Sequence, residues 1–162
     1  MPKKKENEIK VVNIRLVKEP SLYSTKPINS PDEVLKVVAN ELKTYDREVF
    51  AILNVKTNGQ PINLSICSVG TLNASLISPR EVFKSSILSN AASFIAIHNH
   101  PSGSPTPSAE DKVVTKRLQK CGDLMDIKML DHIIVAGETG EMISFKAAGL
   151  MDIGRSQMEW ER

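Results

Sequence analysis

Between residues 93 and 111 the chain reads Ser-Phe-Ile-Ala-Ile-His-Asn-His-Pro-Ser-Gly-Ser-Pro-Thr-Pro-Ser-Ala-Glu-Asp, and this run leaves few folds open. Ser93 to Ile97 has the unbroken apolar character of a buried strand. Side chains two apart on a strand share a face, so His98 and His100 point to one place and Asn99 to the other side. Pro101, Gly103, Pro105 and Pro107 forbid a regular element directly afterwards. Ser108-Ala-Glu-Asp111 then has the Ser-x-x-acid pattern that opens a helix. The fold therefore has to return the first turn of a helix, carrying Asp111, to the end of a buried strand.

The rest of the chain supplies partners for that strand. Ser30-Pro-Asp-Glu33 combines an N-cap, a proline at the first helical position and the acid of a capping box, which predicts a helix to about Lys43. Arg47 to Lys56 is β-rich, Asn58-Gly59 is a turn signal, and Ile62 to Val69 continues as a second strand, so a hairpin ending at Gly70 is expected. Ser78-Pro-Arg-Glu81 repeats the capping-box arrangement, with Val82, Phe83, Ile87 and Leu88 as the apolar face of a helix to about Asn90. A third helix is expected from Ser108 to Cys121 and a strand from Ile127 to Val135. Gly137 to Gly140 is a turn before a short strand at 142–145. Residues 8–18 also have strand-like apolar content, and Pro20 to Pro27 reads as a loop. The expected organisation is an N-terminal tail (1–29) carrying that strand-like run, one domain (30–147) and a polar C-terminal tail (148–162). Helices interleaved with hairpin-connected strands predict an α/β (α+β) domain with a mixed central sheet flanked by helices.

Composition narrows the functional classes. With 162 residues, 41% apolar and 25% charged, the chain can bury one core. No apolar run approaches the roughly 18–20 residues of a membrane span, and the start Met-Pro-Lys-Lys-Lys-Glu lacks the apolar centre of a signal peptide, so a cytoplasmic location is expected. Cys67 and Cys121 stand apart without a Cys-x-x-Cys pair, which favours reduced, packed thiols. A net charge of +2 does not by itself argue for nucleic acid. Lys112, Lys116 and Lys120, with Arg117 beside them, form a basic stripe on the third helix, ordinarily a solvated face.

Two imidazoles and a carboxylate give three protein ligands, the number a catalytic zinc uses while keeping one position open. Water at such a site loses its proton near neutral pH and needs a nearby base that is not itself a ligand. Glu48 is the first candidate, since an ionisable residue opening a buried strand is unusual; Glu41 and Glu110 are the substitutes. Ser108 and Asp111 are also what a helix start requires for its own backbone bonds, and both roles are compatible. His132 reads first as a packed strand histidine with its ring satisfied by Asp131; a partner of a ligand and a substitute ligand are the alternatives.

His98-x-His100, seven residues, Ser108, two residues and Asp111 match the JAMM motif of the JAB/MPN metallopeptidase-like superfamily. Ser78-Pro-Arg-Glu-Val-Phe83, His98-Asn-His-Pro-Ser-Gly103, Pro107-Ser108 with Asp111, and Asp131-His-Ile-Ile-Val135 resemble the JAB domain of the RadC family of bacterial proteins, over about residues 30 to 147. The resemblance implies a JAB/MPN (cytidine deaminase-like) architecture and one Zn²⁺ per chain held by His98, His100 and Asp111. It also implies Glu48, in Asp46-Arg-Glu-Val-Phe50, as general base and acid, and Ser108 as the group that polarises a carbonyl oxygen. The implied activity is that of a metallopeptidase or isopeptidase acting on a peptide or protein substrate. The alternatives are a metal-dependent nuclease or DNA-repair-associated protein, and a non-catalytic module stabilised by its metal. Longer RadC proteins carry a helix-hairpin-helix region ahead of this domain, and the roughly 30 residues before Ser30 are too few for one, so that DNA-associated part is not expected here.

Overall fold

The computed structural model describes residues 27–42, 45–70, 77–101, 103–137 and 139–152. The lysine-rich start, the strand-like run at 8–18, the expected loop up to residue 26, Lys43 and the chain beyond 152 lie outside the described residues. Among the described residues the elements follow as α1 (Pro31–Leu42), β1 (Val49–Val55), β2 (Pro61–Val69), α2 (Pro79–Leu88), β3 (Ser93–His100), α3 (Ala109–Met125), β4 (Lys128–Ala136) and β5 (Met142–Ser144). The strands form one sheet in the order β2-β1-β3-β4-β5. β1 pairs antiparallel with β2 and β3, β3 and β4 run parallel, and β5 returns antiparallel to β4. The sheet is mixed, as expected, and the parallel pair is joined by α3 because parallel neighbours need a crossover.

The sheet is covered on both faces, which is why β1 is buried along its whole length. Val34, Val38 and Leu42, four residues apart on α1, pack with Val49, Ala51, Leu53, Ile95, Ile97, Ile133 and Val135 on one side. Phe50, Ile52, Phe94, Ala96 and Ile134 face the other way, against Val82 and Phe83 of α2 and Val114 and Leu118 of α3. Alternate residues of β3 thus point to opposite layers, and the histidines fall on the α2/α3 side. Met151 is buried in that same layer, and Asp152 exchanges hydrogen bonds with the Gln119 side chain, so the chain remains on the domain to the last residue described.

Local sequence signals explain most element boundaries. At α1 the Glu33 amide donates to Ser30 Oγ and the Glu33 carboxylate accepts from the Asn29 amide. The β1–β2 turn passes through Gly59 at φ +81°, a left-handed conformation that glycine adopts without strain. Two expectations need correcting. Ser78 precedes α2 with an extended backbone but its side chain makes no capping bond, and Glu81 pairs instead with Lys84. Ile87 and Leu88 are 51% and 36% exposed, while Ser86 is buried. The reason is a polar contact inside the layer: Ser86 Oγ donates to Asn54 Oδ1 on β1, and the Asn54 amide reaches Ser85 and Asn63. α3 runs four residues beyond Cys121, to Met125. Cys67 and Cys121 are free, half-buried thiols, and burial pushes the Cys67 thiol up to about 12, where it is unreactive.

Candidate metal centre

The site lies beyond the carboxyl ends of the parallel strands β3 and β4, where open α/β sheets leave a crevice. Three segments meet there. β3 delivers His98 and His100, whose ring centroids are 4.6 Å apart at an interplanar angle of 88°. α3 delivers Asp111 on its buried stripe, which continues through Val114, Thr115, Leu118 and Gly122. The residue ahead of β1 delivers Glu48. Phe50 stands opposite His98 in the antiparallel β1–β3 ladder, so the same register extended by two residues sets Glu48 opposite His100.

Asn99 holds the third segment in place. Its carboxamide accepts from the Val49 amide and donates to the Arg47 carbonyl, bracketing Glu48 from the α1 side. It also lines a hollow shared with Leu35, Leu42, Tyr45, Pro101 and Val135 on that side of the strand ends. As the strand pattern indicates, Asn99 points away from the histidines.

Asp111 approaches both histidines, Oδ1 at 3.2 Å from His98 Nδ1 and Oδ2 at 3.4 Å from His100 Nε2. Its Oδ2 also accepts from the Ser108 amide at 2.7 Å, and Ser108 Oγ accepts from the Asp111 amide at 3.1 Å, the full reciprocal cap predicted for this helix. His100 Nδ1 lies 2.8 Å from the Ser104 carbonyl. With Nδ1 donating there, Nε2 is left as a bare lone pair facing the site. His98 and Asp111 are each 1% exposed, yet His98 Nδ1, His98 Nε2 and Asp111 Oδ1 have no hydrogen-bond partner. Burial alone would raise the Asp111 carboxyl, but its contacts with His98 and the Ser108 amide outweigh that and hold it below its ordinary range.

Ligand atoms of Glu48, His98 and His100 all lie within 4.8 Å of one another, so this group could hold a metal ion. Asp111 differs from Glu48 in being almost wholly buried, with an oxygen that nothing else satisfies. A tetrahedral ion with bonds of about 2.0–2.2 Å has its ligand atoms about 3.3–3.6 Å apart, close to the separations between Asp111 and the two histidines. The donor set and its unsatisfied buried atoms therefore fit a divalent cation. Neither substitute base joins the group: Glu110 is exposed on α3 and Glu41 lies on α1.

The family model of the RadC-like JAB domain matches residues 28–150. The chain belongs to the RadC family. It is 43% identical over 124 residues to a UPF0758 protein of Desulfitobacterium hafniense, covering 76% of this chain and 54% of the relative. A UPF0758 protein of Caldanaerobacter subterraneus is 42% identical over 125 residues, covering 77% and 53%. The Bacillus subtilis UPF0758 protein YsxA is 41% identical over 124 residues, covering 76% and 53%. The chain thus spans about half the length of these curated relatives. The mixed five-stranded sheet between helices is the JAB/MPN-type fold that RadC membership implies, with its histidine pair at the strand ends.

His132 and Thr115 belong to the same neighbourhood; Asp131 accepts from the His132 backbone amide rather than from its ring, and Thr115 is a neighbour that no sequence motif marks. His132 is fully buried, stacked 4.5 Å from Phe145 and 6.3 Å from His98. Burial, with the neighbouring His98, lowers its pKa to about 3, so the ring is neutral. A signal for Thr115 does exist in the sequence: it lies four residues after Asp111, one turn along the same helical face. The basic stripe of Lys112, Lys116, Arg117 and Lys120 lies exposed on the outer side of α3.

Proposed function

We propose that this RadC-type JAB domain is a zinc-dependent hydrolase of peptide or isopeptide bonds. The observation that carries the reading is the buried set of His98 nitrogens and Asp111 Oδ1 that make no hydrogen bond, at ligand spacing from each other and from His100. Buried polar atoms left unpaired are unfavourable, and a cation at their centre removes that cost. In this reading His98, His100 and Asp111 are the ligands. A zinc ion bound there would supply a Lewis acid and bring the pKa of water toward about 7.

The remaining steps fall to the protein. Glu48, only partly buried beside the histidines, takes a proton from the attacking water and returns it to the departing amine nitrogen. The water oxygen adds to the amide carbon to give a tetrahedral intermediate, and its C–N bond breaks once the nitrogen is protonated, giving a carboxylate and an amine. Ser108 Oγ already accepts from the Asp111 amide, and its hydroxyl proton is available to the carbonyl oxygen as charge develops there. The apolar hollow beside Asn99 offers a place for a side chain of an extended peptide.

Elemental mass spectrometry of the purified protein beside H100A tests the metal step, and turnover of peptide, isopeptide and DNA substrates beside E48Q tests the chemistry. About one zinc per chain, lost in H100A, with amide cleavage lost in E48Q, is the expected result. Failure to take up added zinc overturns the reading. Metal without cleavage leaves a binding module, and Glu48-dependent DNA cutting would make the same centre a nuclease.

A further inference from the structure

One buried polar chain reaches the site from behind. His132 Nδ1 lies 2.6 Å from Thr115 Oγ1, and Thr115 Oγ1 donates to the Asp111 carbonyl at 2.7 Å. A hydroxyl has a single proton, so with that proton given to the carbonyl, His132 Nδ1 is the donor to Thr115. We infer that His132 is a positioning residue that acts through Thr115 to fix the first turn of α3, and with it the direction of the Asp111 carboxylate. This inference rests on the reading of His98, His100 and Asp111 as metal ligands.

The surroundings of His132 argue against a simple packing role. Its ring is stacked on Phe145 and lies edge-on to Phe50, 5.7 Å away, a slot that an apolar ring would fill without desolvating any nitrogen. Its Nε2 has no hydrogen-bond partner, and the other buried side-chain atoms in that condition among the described residues all belong to His98 and Asp111. Polar violations of this kind concentrate at functional sites. The sheet register adds the placement: Ile134 stands beside His98 and His132 beside Ala96, so β4 sets the imidazole under the same face that carries the ligands. A threonine hydroxyl bonded to the carbonyl four residues back is common in helices and by itself ordinary. The second bond from a different strand converts it into a strut between β4 and the turn that bears a ligand. Partners behind metal ligands that hold them in orientation typically govern affinity by about ten- to a hundredfold.

Zinc affinity, measured in the full chain by competition with a chromogenic chelator, tests the inference. H132F keeps an aromatic ring in the slot, and T115V keeps the shape of the side chain, but each breaks the strut; both should weaken zinc about ten- to a hundredfold. H132N places an amide donor near the position of Nδ1 and should retain affinity to within about threefold of the parent. V38A, which removes core packing from the other face of the sheet, should lower stability and leave zinc affinity unchanged. Equal affinity in the parent, H132F and T115V overturns the positioning role while leaving the metal site standing, as does an H132N protein as weak as H132F. If H132F does not fold, T115V against V38A decides. No zinc binding by the parent protein overturns both readings together.

Discussion

At the scale of single residues the two carboxylates of the site are separable by substitution. H98A and D111A each remove a proposed buried ligand and are expected to abolish zinc binding. E48Q should keep the metal and lose turnover by about 10²–10⁴-fold, read from metal content and rate on the same preparation; equal metal loss in all three variants would make Glu48 a ligand. His132 gives a pH prediction for chelator-treated protein. Its folded pKa is lowered from 6.5 to about 3, so between those values the unfolded chain binds a proton that the folded protein refuses. Stability therefore rises with pH across that window and falls as acid is added, by up to about 1.4 kcal/mol per pH unit. Guanidinium unfolding at about pH 7.5 and about pH 5 should show the parent losing about 2 kcal/mol more than H132F. Equal losses would mean that the ring is solvated or already charged. His98, His100, Ser108 and Asp111 were legible in the sequence because strand period and helix cap are local rules. Glu48 is brought to them by the register of a strand pair some fifty residues apart, which no local pattern encodes; the sequence marked it only as an ionisable residue opening a buried strand, and the family likeness gave it a role.

At the scale of elements α3 carries the strongest predictions, since Ser108 caps it and Asp111 lies in its first turn. S108A removes the side-chain half of its cap and should cost about 1 kcal/mol in stability. The same variant should also slow turnover if the hydroxyl serves the carbonyl, so a stability loss with unchanged rate would confine Ser108 to capping. At the other end, a Cβ on Gly122 would sit 2.6 Å from the Ile127 carbonyl oxygen. An exposed Gly→Ala change in a helix is ordinarily stabilising, but G122A should destabilise by about 1–3 kcal/mol because backbone has to move, measurable by chemical denaturation. That close approach also explains why the helix outran its expected end at Cys121: Gly122 serves helix–strand contact, and the chain turns only at Asp126, at φ 57°. In α2 the start was legible from Ser78-Pro79, but the buried face was not. Ser86 is inside because Asn54, on a strand thirty-two residues away, offers it an acceptor.

At the scale of the whole molecule, metal should report as stability. A ligand that binds only the folded state at about a hundred times its Kd adds about 2.7 kcal/mol, or about 5–10 °C in Tm for a domain of this size. Calorimetry with zinc and after chelation should show that shift in the parent and none in H100A; a shift retained in H100A would place the metal elsewhere. No helix among the described residues is long and apolar enough to cross a membrane. The linear chain specifies the elements, the mixed sheet and the family, because these follow from hydrophobic period, turn chemistry and contiguous motif spacing. It also determined that two imidazoles share a face and that Asp111 opens a helix. Packing sets which carboxylate is buried against both histidines and which stands beside them half exposed, and it brings His132 to Asp111 through Thr115. Burial and hydrogen-bond satisfaction are set by segments meeting across the sheet, and that meeting is a property of the packed chain rather than of any stretch of it.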